Sequence, residues 1–408
     1  MIKTFLGVSF FNILAAVLGL FLNIIYGKTL TISDYGNLYF LLSLLYILNY
    51  IIDGGISQSI VVYSSKDHCP SERHEYIQFV FKRYYKYLIL SVVLSILVSS
   101  IVVYYNNLLT FQNFILLFVS GIVTSVTKVF ISFFQGEKQW FKFNISNISL
   151  NFFRIAPLLL IMFLGDKIGI SDITWILIFS SLGQFILVLS LIYGKDKTSK
   201  NEVSKNDSHN LKKSFSNHFY SLIGITLITV IASRVDVLIT KQFLSNEELG
   251  LYSMGSSLAL IFPIITNSLI QVLLSFSKEI DKINVLTSNF LLKFIGISVI
   301  AILLFTVVPT FFDWLFSSRY NDSIIFFQFL SMIHVIGLIF TPLEVVFLVK
   351  NPKKIFFLKL CQLLILILIP ILMIVSLWTI LLGVLFSRVA AWLFLTYIYY
   401  HDKKLFIP

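Results

Sequence analysis

Of 408 residues, 57% are hydrophobic and only 12% are charged, and the mean hydropathy is +0.90, which excludes an ordinary soluble globule and indicates a polytopic membrane protein. In a soluble chain the formal charge of +11 would suggest a nucleic-acid partner. Here the excess sits in short loops between apolar stretches, where it orients helices and meets anionic lipid headgroups, so nucleic acid is excluded as a partner.

A run of roughly 20 apolar residues crosses a bilayer core. Twelve such spans are predicted: 8–28, 37–61, 87–105, 112–134, 143–164, 173–193, 217–240, 250–275, 288–311, 323–349, 355–375 and 378–400. The opening stretch, Met1 to Leu20, resembles a signal peptide, but no small-residue cleavage site follows and the run continues through Leu22 and Ile24. It is read as an uncleaved first helix. Alternate loops then differ sharply in charge. One face collects Lys3, Lys66, Arg73, Lys82, Arg83, Lys86, Lys138, Lys142, the lysines from Lys195 to Lys213, Lys278, Lys282, Lys293, Lys350, Lys353, Lys354, Lys359, Lys403 and Lys404. The other face has only Lys28, Lys167, Lys241 and Arg319. By the positive-inside rule the rich face is cytoplasmic, which puts both termini inside.

The polar run from Gly194 to Asn217 contains KDKTSKNEVSKNDSHNLKK and cannot bury a core. It divides the chain into a six-helix lobe, 1–193, a cytoplasmic linker, 194–216, and a second six-helix lobe, 217–408. No GxxxxGK[ST] loop is present, so ATP is not hydrolysed within this chain. The outer loops are too short for a catalytic domain, which argues for a carrier rather than an enzyme. Cys69 and Cys361 have neither CxxC nor Cys/His spacing, so no disulfide, metal site or cofactor is expected. Tyr104, Tyr105, Trp314, Tyr399 and Tyr400 at span ends fit interfacial belts.

The halves echo each other. Ser33-Asp34-Tyr35-Gly36-Asn37-Leu38-Tyr39 follows the first span, and Asn246-Glu247-Glu248-Leu249-Gly250-Leu251-Tyr252 follows the seventh. Aligning Gly36 with Gly250 gives an offset of 214 and sets Asp34 on Glu248 and Asp53 on Asn267. With a short slip, Gln58 meets Gln271 and Ser65-Lys66-Asp67 meets Ser277-Lys278-Glu279. An even number of spans per half makes both repeats start inside, with the symmetry axis along the membrane normal. Carriers of this plan bind substrate between their repeats and alternate access by rocking.

These stretches, with Asp53-Gly54-Gly55 and Gln135-Gly136-Glu137-Lys138, resemble the Wzx-type polysaccharide-biosynthesis flippases of the multidrug/oligosaccharidyl-lipid/polysaccharide superfamily. The twelve-span plan extends the resemblance over nearly the whole chain. It implies an all-α polytopic membrane protein with two pseudo-symmetric six-helix bundles around a central cavity. It further implies a bacterial inner-membrane location and an undecaprenyl-pyrophosphate-linked oligosaccharide as substrate, such as an O-antigen (lipopolysaccharide) or capsule repeat unit. A polysaccharide polymerase and a chain-length regulator are the implied partners.

Charges inside hydrocarbon are costly and normally face a bundle interior or a wet cavity. Lys128, Arg154, Arg234 and Arg388 fall within predicted spans, against the acids Asp53, Asp236 and Glu344. Asn147, Asn151 and Arg154 recur at spacings of four and three on one helix face, the strongest local cavity signal; inter-helix hydrogen bonding is the alternative. Arg388 stands alone in Leu385-Phe-Ser-Arg-Val-Ala, and Lys128 is close enough to a span end to snorkel. Arg234 and Asp236, two apart, point to opposite sides of a helix, so each needs a partner on another helix. A guanidinium fork matches a diphosphate bidentately and keeps its charge, so Arg154, Arg388, Arg234, Lys128, Asn147 and Asn151 are the substrate-binding candidates. Glu344, beside Pro342, Asp53 and Asp236 are the coupling candidates, and Asp53 next to Gly54-Gly55 also reads as the stabiliser of a helix break. His334 reads as a satisfied interior histidine.

Two other functions remain open. A multidrug exporter of the same superfamily needs a buried carboxylate for its cation, whereas the intramembrane excess here is positive. A polysaccharide polymerase or ligase needs an outer catalytic site, for which the short outer loops offer only Arg319.

Overall fold

The computed structural model describes residues 2–64, 70–105, 110–165, 167–193, 223–260, 290–316 and 318–401, with isolated positions 262, 263, 266 and 270. The linker 194–216, Cys69, Lys403 and Lys404 lie outside the described residues, as do Ser65–Asp67, Asn267, Gln271 and Ser277–Glu279 of the repeat alignment. Among the described residues the chain is all-α, and every predicted span contains helix. This is what lipid demands, because a helix satisfies its backbone polar groups internally.

The helices are α1 (Ile2–Thr29), α2 (Ile32–Asp53), α3 (Ile56–Ser64), α4 (Pro70–Tyr105), α5 (Phe111–Ile115), α6 (Gly121–Gly136), α7 (Trp140–Leu164) and α8 (Ile170–Tyr193). There follow α9 (Ile223–Ala232), α10 (Val235–Phe243), α11 (Asn246–Ala259), α12 (Phe290–Phe316), α13 (Ser323–Lys350), α14 (Pro352–Leu372) and α15 (Leu377–His401). One π-helical turn, Leu116–Ser120, joins α5 to α6. Eight helices among the described residues are long and apolar enough to cross a membrane, and a ninth span forms if α9 and α10, bent by 44°, count together.

Two compact units are present. The first comprises residues 1–43, 158–170 and 231–408, the second 44–157 and 171–230.

In the first unit, α14 packs along α15, α11 along α13, and α1 against α11. The repeated motifs open α2 and α11 in the same way. Thr31 Oγ1 accepts from the Asp34 amide at 3.0 Å and donates to the Asp34 carboxylate at 2.6 Å. Ser245, 214 residues on, accepts from the Glu248 amide at 3.2 Å, while Glu248 receives the Ser245 amide at 3.0 Å. Both are helix-start clamps of the capping-box kind. The two helices then cross at their glycines. A Cβ on Gly36 would lie 2.6 Å from the Asn246 carbonyl oxygen, and one on Gly250 would strike the Ile32 carbonyl oxygen. Since Ile32 and Asn246 are themselves equivalent at the 214-residue offset, the contact is reciprocal, as across a two-fold axis. Tyr35 and Tyr39 hydroxyls flank it, 2.8 Å from Ser257 Oγ and 3.3 Å from Ser256 Oγ.

Arg319 closes the end of α1. Its Nη2 donates to the Leu30 carbonyl at 2.7 Å and its Nη1 to the Gly27 carbonyl at 3.4 Å, a cation at a helix C-terminus. Neighbouring Tyr320 is buried in the turn before α13. Burial pushes its phenol up to about 12 against the opposing pull of Arg319, so it stays neutral.

In the second unit, the α2–α3 break occurs where Gly54 and Gly55 take φ of 54° and 81°, a region open to glycine and strained for other residues. α3 packs on α6. Polar side chains tie helices together: Thr124 Oγ1 donates to Asn49 Oδ1 at 2.6 Å, Ser125 Oγ to the Asn49 carbonyl at 3.0 Å, and Gln184 Nε2 to the Ser146 carbonyl at 2.8 Å. Such bonds replace the missing hydrophobic drive between helices in lipid.

Candidate functional site

The first unit gathers charges from four helical segments. The helix breaks after Ala232, and Arg234 stands at the entry to α10 with φ −137° and ψ −1°. Freed from regular helix there, its Nη1 donates to the Tyr39 hydroxyl at 2.9 Å, with the guanidinium 5.7 Å from that ring's centroid. Asp236, in the first turn of α10, accepts the Tyr252 hydroxyl at 2.5 Å. Each of the pair thus has a partner on another helix, as their spacing required.

Glu344 on α13 forms an ion pair with Lys359 on α14, Nζ to Oε1 2.5 Å. The lysine side chain is 7% exposed and the glutamate 34%. Arg388 on α15 acts electrostatically on both Glu344 and His334, and Arg234 acts on His334 as well. Sequence reasoning assigned Lys359 to a charged loop with Lys353 and Lys354. The loop is in fact only Asn351 between α13 and α14, so Lys359 falls two turns into a span and faces inward. The predicted boundaries 355–375 already enclosed it, the signal that was there to be read. It is a fifth intramembrane base beside the four recognised.

In the second unit, Asp53 ends α2 and is 1% exposed. Its Oδ1 accepts both the Ser57 hydroxyl at 2.5 Å and the Ser57 amide at 3.2 Å, stitching the start of α3 to the end of α2. Lys128 of α6 approaches its Oδ2 at 3.7 Å and lies 3.2 Å above the Tyr50 ring centroid, a cation–π contact. Tyr87 Oη donates to the Ile51 carbonyl at 2.5 Å, supplying a donor at the end of α2. Asp53 therefore holds the helix break, the structural role its glycine neighbours suggest. Asn147, Asn151 and Arg154 are half-buried along one face of α7. They belong to the second unit, whereas Arg234 and Arg388 belong to the first. Tyr39, Tyr50 and Tyr252, which hold three of these charges, were not anticipated, since no period or spacing links them to their partners. Among the described residues no group of three or more His, Cys, Asp or Glu could hold a metal ion.

Residues 2–276 match the family described as polysaccharide biosynthesis protein. The chain belongs to that family. No curated protein matches this chain at a significant level. Among solved structures it is similar to a lipid II flippase MurJ in an inward closed conformation, with a TM-score of 0.64 and 18% identity over 98% of this chain and 88% of the other. It is similar also to the MATE multidrug transporter DinF-BH, solved in complex with a ligand, with a TM-score of 0.67 and 13% identity over 99% and 96% of the two chains. A mutant of the Vibrio cholerae MATE transporter VcmN gives a TM-score of 0.62 and 12% identity over 99% and 98%. The chain thus belongs to the polysaccharide biosynthesis family and shares its fold with a lipid II flippase and with MATE transporters.

Proposed function

We propose that this family member is a flippase that carries an undecaprenyl-pyrophosphate-linked oligosaccharide, an O-antigen or capsule repeat unit, from the cytoplasmic to the outer leaflet of a bacterial inner membrane. It does so by alternating access of lobes 1–193 and 217–408, with both termini cytoplasmic, and performs no covalent chemistry. A polysaccharide polymerase and a chain-length regulator act downstream on what it delivers. The observation that carries the reading is the cationic balance of the first unit: within spans Arg234, Lys359 and Arg388 stand against Glu344 and Asp236, with Lys359 and Arg388 both acting on the carboxylate of Glu344. Intramembrane cations in excess of acids are costly unless an anion visits them, and a diphosphate is an anion that guanidinium and ammonium groups hold well. Arg154, Asn147 and Asn151 would line the same substrate's path, and Glu344 is the coupling candidate, because its partner can change.

Deleting the gene tests this. The surface polysaccharide should disappear while diphosphate-linked repeat units accumulate on the cytoplasmic leaflet. Repeat units on the outer leaflet of the deletion strain would overturn the flippase reading and favour a polymerase or ligase defect. Intact polysaccharide with altered sensitivity to organic cations would favour the exporter function, which the MATE-like fold leaves as the second reading.

A further inference from the structure

We propose that Lys359 and Arg388 form an anion subsite whose resting counterion is Glu344, and that the diphosphate of the carried lipid displaces this carboxylate. The inference deepens the flippase reading and rests on it for the identity of the ligand.

The exposures of the ion pair point this way. A buried charge is costly unless it keeps a partner, because desolvation otherwise exceeds the attraction. Here the base is buried at 7% exposure while the acid is one-third exposed. Glu344 borders open space and has room to move away, but the buried Lys359 cannot follow it and must keep an anion. Arg388 adds a second positive charge on the same carboxylate, and the other acid of this charge cluster among the described residues, Asp236, accepts from Tyr252 and acts on Arg234. One carboxylate therefore serves two cations, a deficit that a diphosphate corrects with at least two charges and several acceptor oxygens.

The carboxylate also explains how binding stays reversible. Every binding event must first break the Lys359–Glu344 pair, so affinity is reduced by the strength of an internal competitor. When the substrate leaves, Glu344 refills the site and prevents rebinding. Pro342, two residues before Glu344, removes one backbone hydrogen bond of α13 at this point and eases the movement of the carboxylate.

The test is binding of farnesyl diphosphate to the full-length protein in phosphatidylcholine nanodiscs. Glu344→Gln removes the competitor and should tighten binding about tenfold, whereas Lys359→Gln and Arg388→Gln should each weaken it by a similar factor. Lys359→Arg keeps the charge and should retain binding, which separates loss of the subsite from misfolding. Unchanged or weaker binding in Glu344→Gln overturns the proposal, as does wild-type affinity in Lys359→Gln. Equal competition by phosphatidylglycerol also overturns it, since the site would then serve bulk headgroups. If no variant binds the diphosphate, the subsite is overturned, while the leaflet assay on the deletion strain decides the flippase reading independently.

Discussion

Among the described residues two carboxylate–lysine pairs lie within the spans, and they are built in opposite senses. In the second unit the acid is buried and the base exposed: Asp53 is at 1%, Lys128 at 35%. In the first unit the base is buried and the acid exposed: Lys359 is at 7%, Glu344 at 34%. Asp53 is anchored by two bonds from Ser57 and sits at a backbone break, so its lysine is an accessory that also rests on Tyr50. Glu344 makes its ion pair from a one-third exposed position, and the buried group depends on it. The member of a pair that borders open space is the one a ligand can replace. By this rule the Asp53 pair is architecture and the Glu344 pair is exchangeable.

The largest effect expected from this contrast is on transport. Lys359→Met should reduce surface polysaccharide in a complemented deletion strain more than about tenfold, because it removes one of two charges on the anion. Lys128→Met should change it less than about twofold; equal losses would erase the distinction. Next comes folding. Asp53→Ala should lower stability by about 3 kcal/mol, since it deletes buried hydrogen bonds and leaves the break unsupported. Thermal unfolding in detergent reads this, and farnesyl diphosphate should not restore it. Glu344→Gln, by contrast, should melt early when empty and regain wild-type stability with the ligand, because the diphosphate supplies the missing anion. A ligand that rescues both variants, or neither, breaks the comparison. The smallest effect is at Ser57→Ala, about 1 kcal/mol, which removes one hydroxyl donor while keeping its amide bond to Asp53.

Much of this was legible in the chain. Length and apolarity marked the spans, each of which contains helix among the described residues, since in lipid the backbone has no alternative to helix. Gly54-Gly55 marked the broken second span and with it the duty of Asp53. Arg234, Asp236, Glu344 and Arg388 stood out because charge is rare in such company. Lys359 did not, because it follows Lys353 and Lys354 and a basic run before a span reads as a loop. Its burial is decided by α13, whose Glu344 comes fifteen residues earlier around a one-residue turn. The Lys128–Asp53 pair was hidden for a related reason: its members are far apart in sequence and meet only through the packing of α6 beside the α2–α3 break. Asp34 and Glu248 were aligned as equivalents, yet their clamps with Thr31 and Ser245 became visible only with the backbone in place.

The glycine crossing of α2 and α11 bears on how such a chain is inherited. Gly36 and Gly250 are equivalent at the 214-residue offset, and each is barred from a side chain by the other's helix. In a duplicated gene most paired positions drift apart, because each copy answers to different neighbours. Here each position's neighbour is its own counterpart, so the two codons share one constraint. A methyl group acquired at either site pushes on the same seam, and a second at the other cannot relieve it. Loss of the glycine is therefore an event that neither half can compensate, and the seam holds the two halves to the same residue where the surrounding sequence is free to differ.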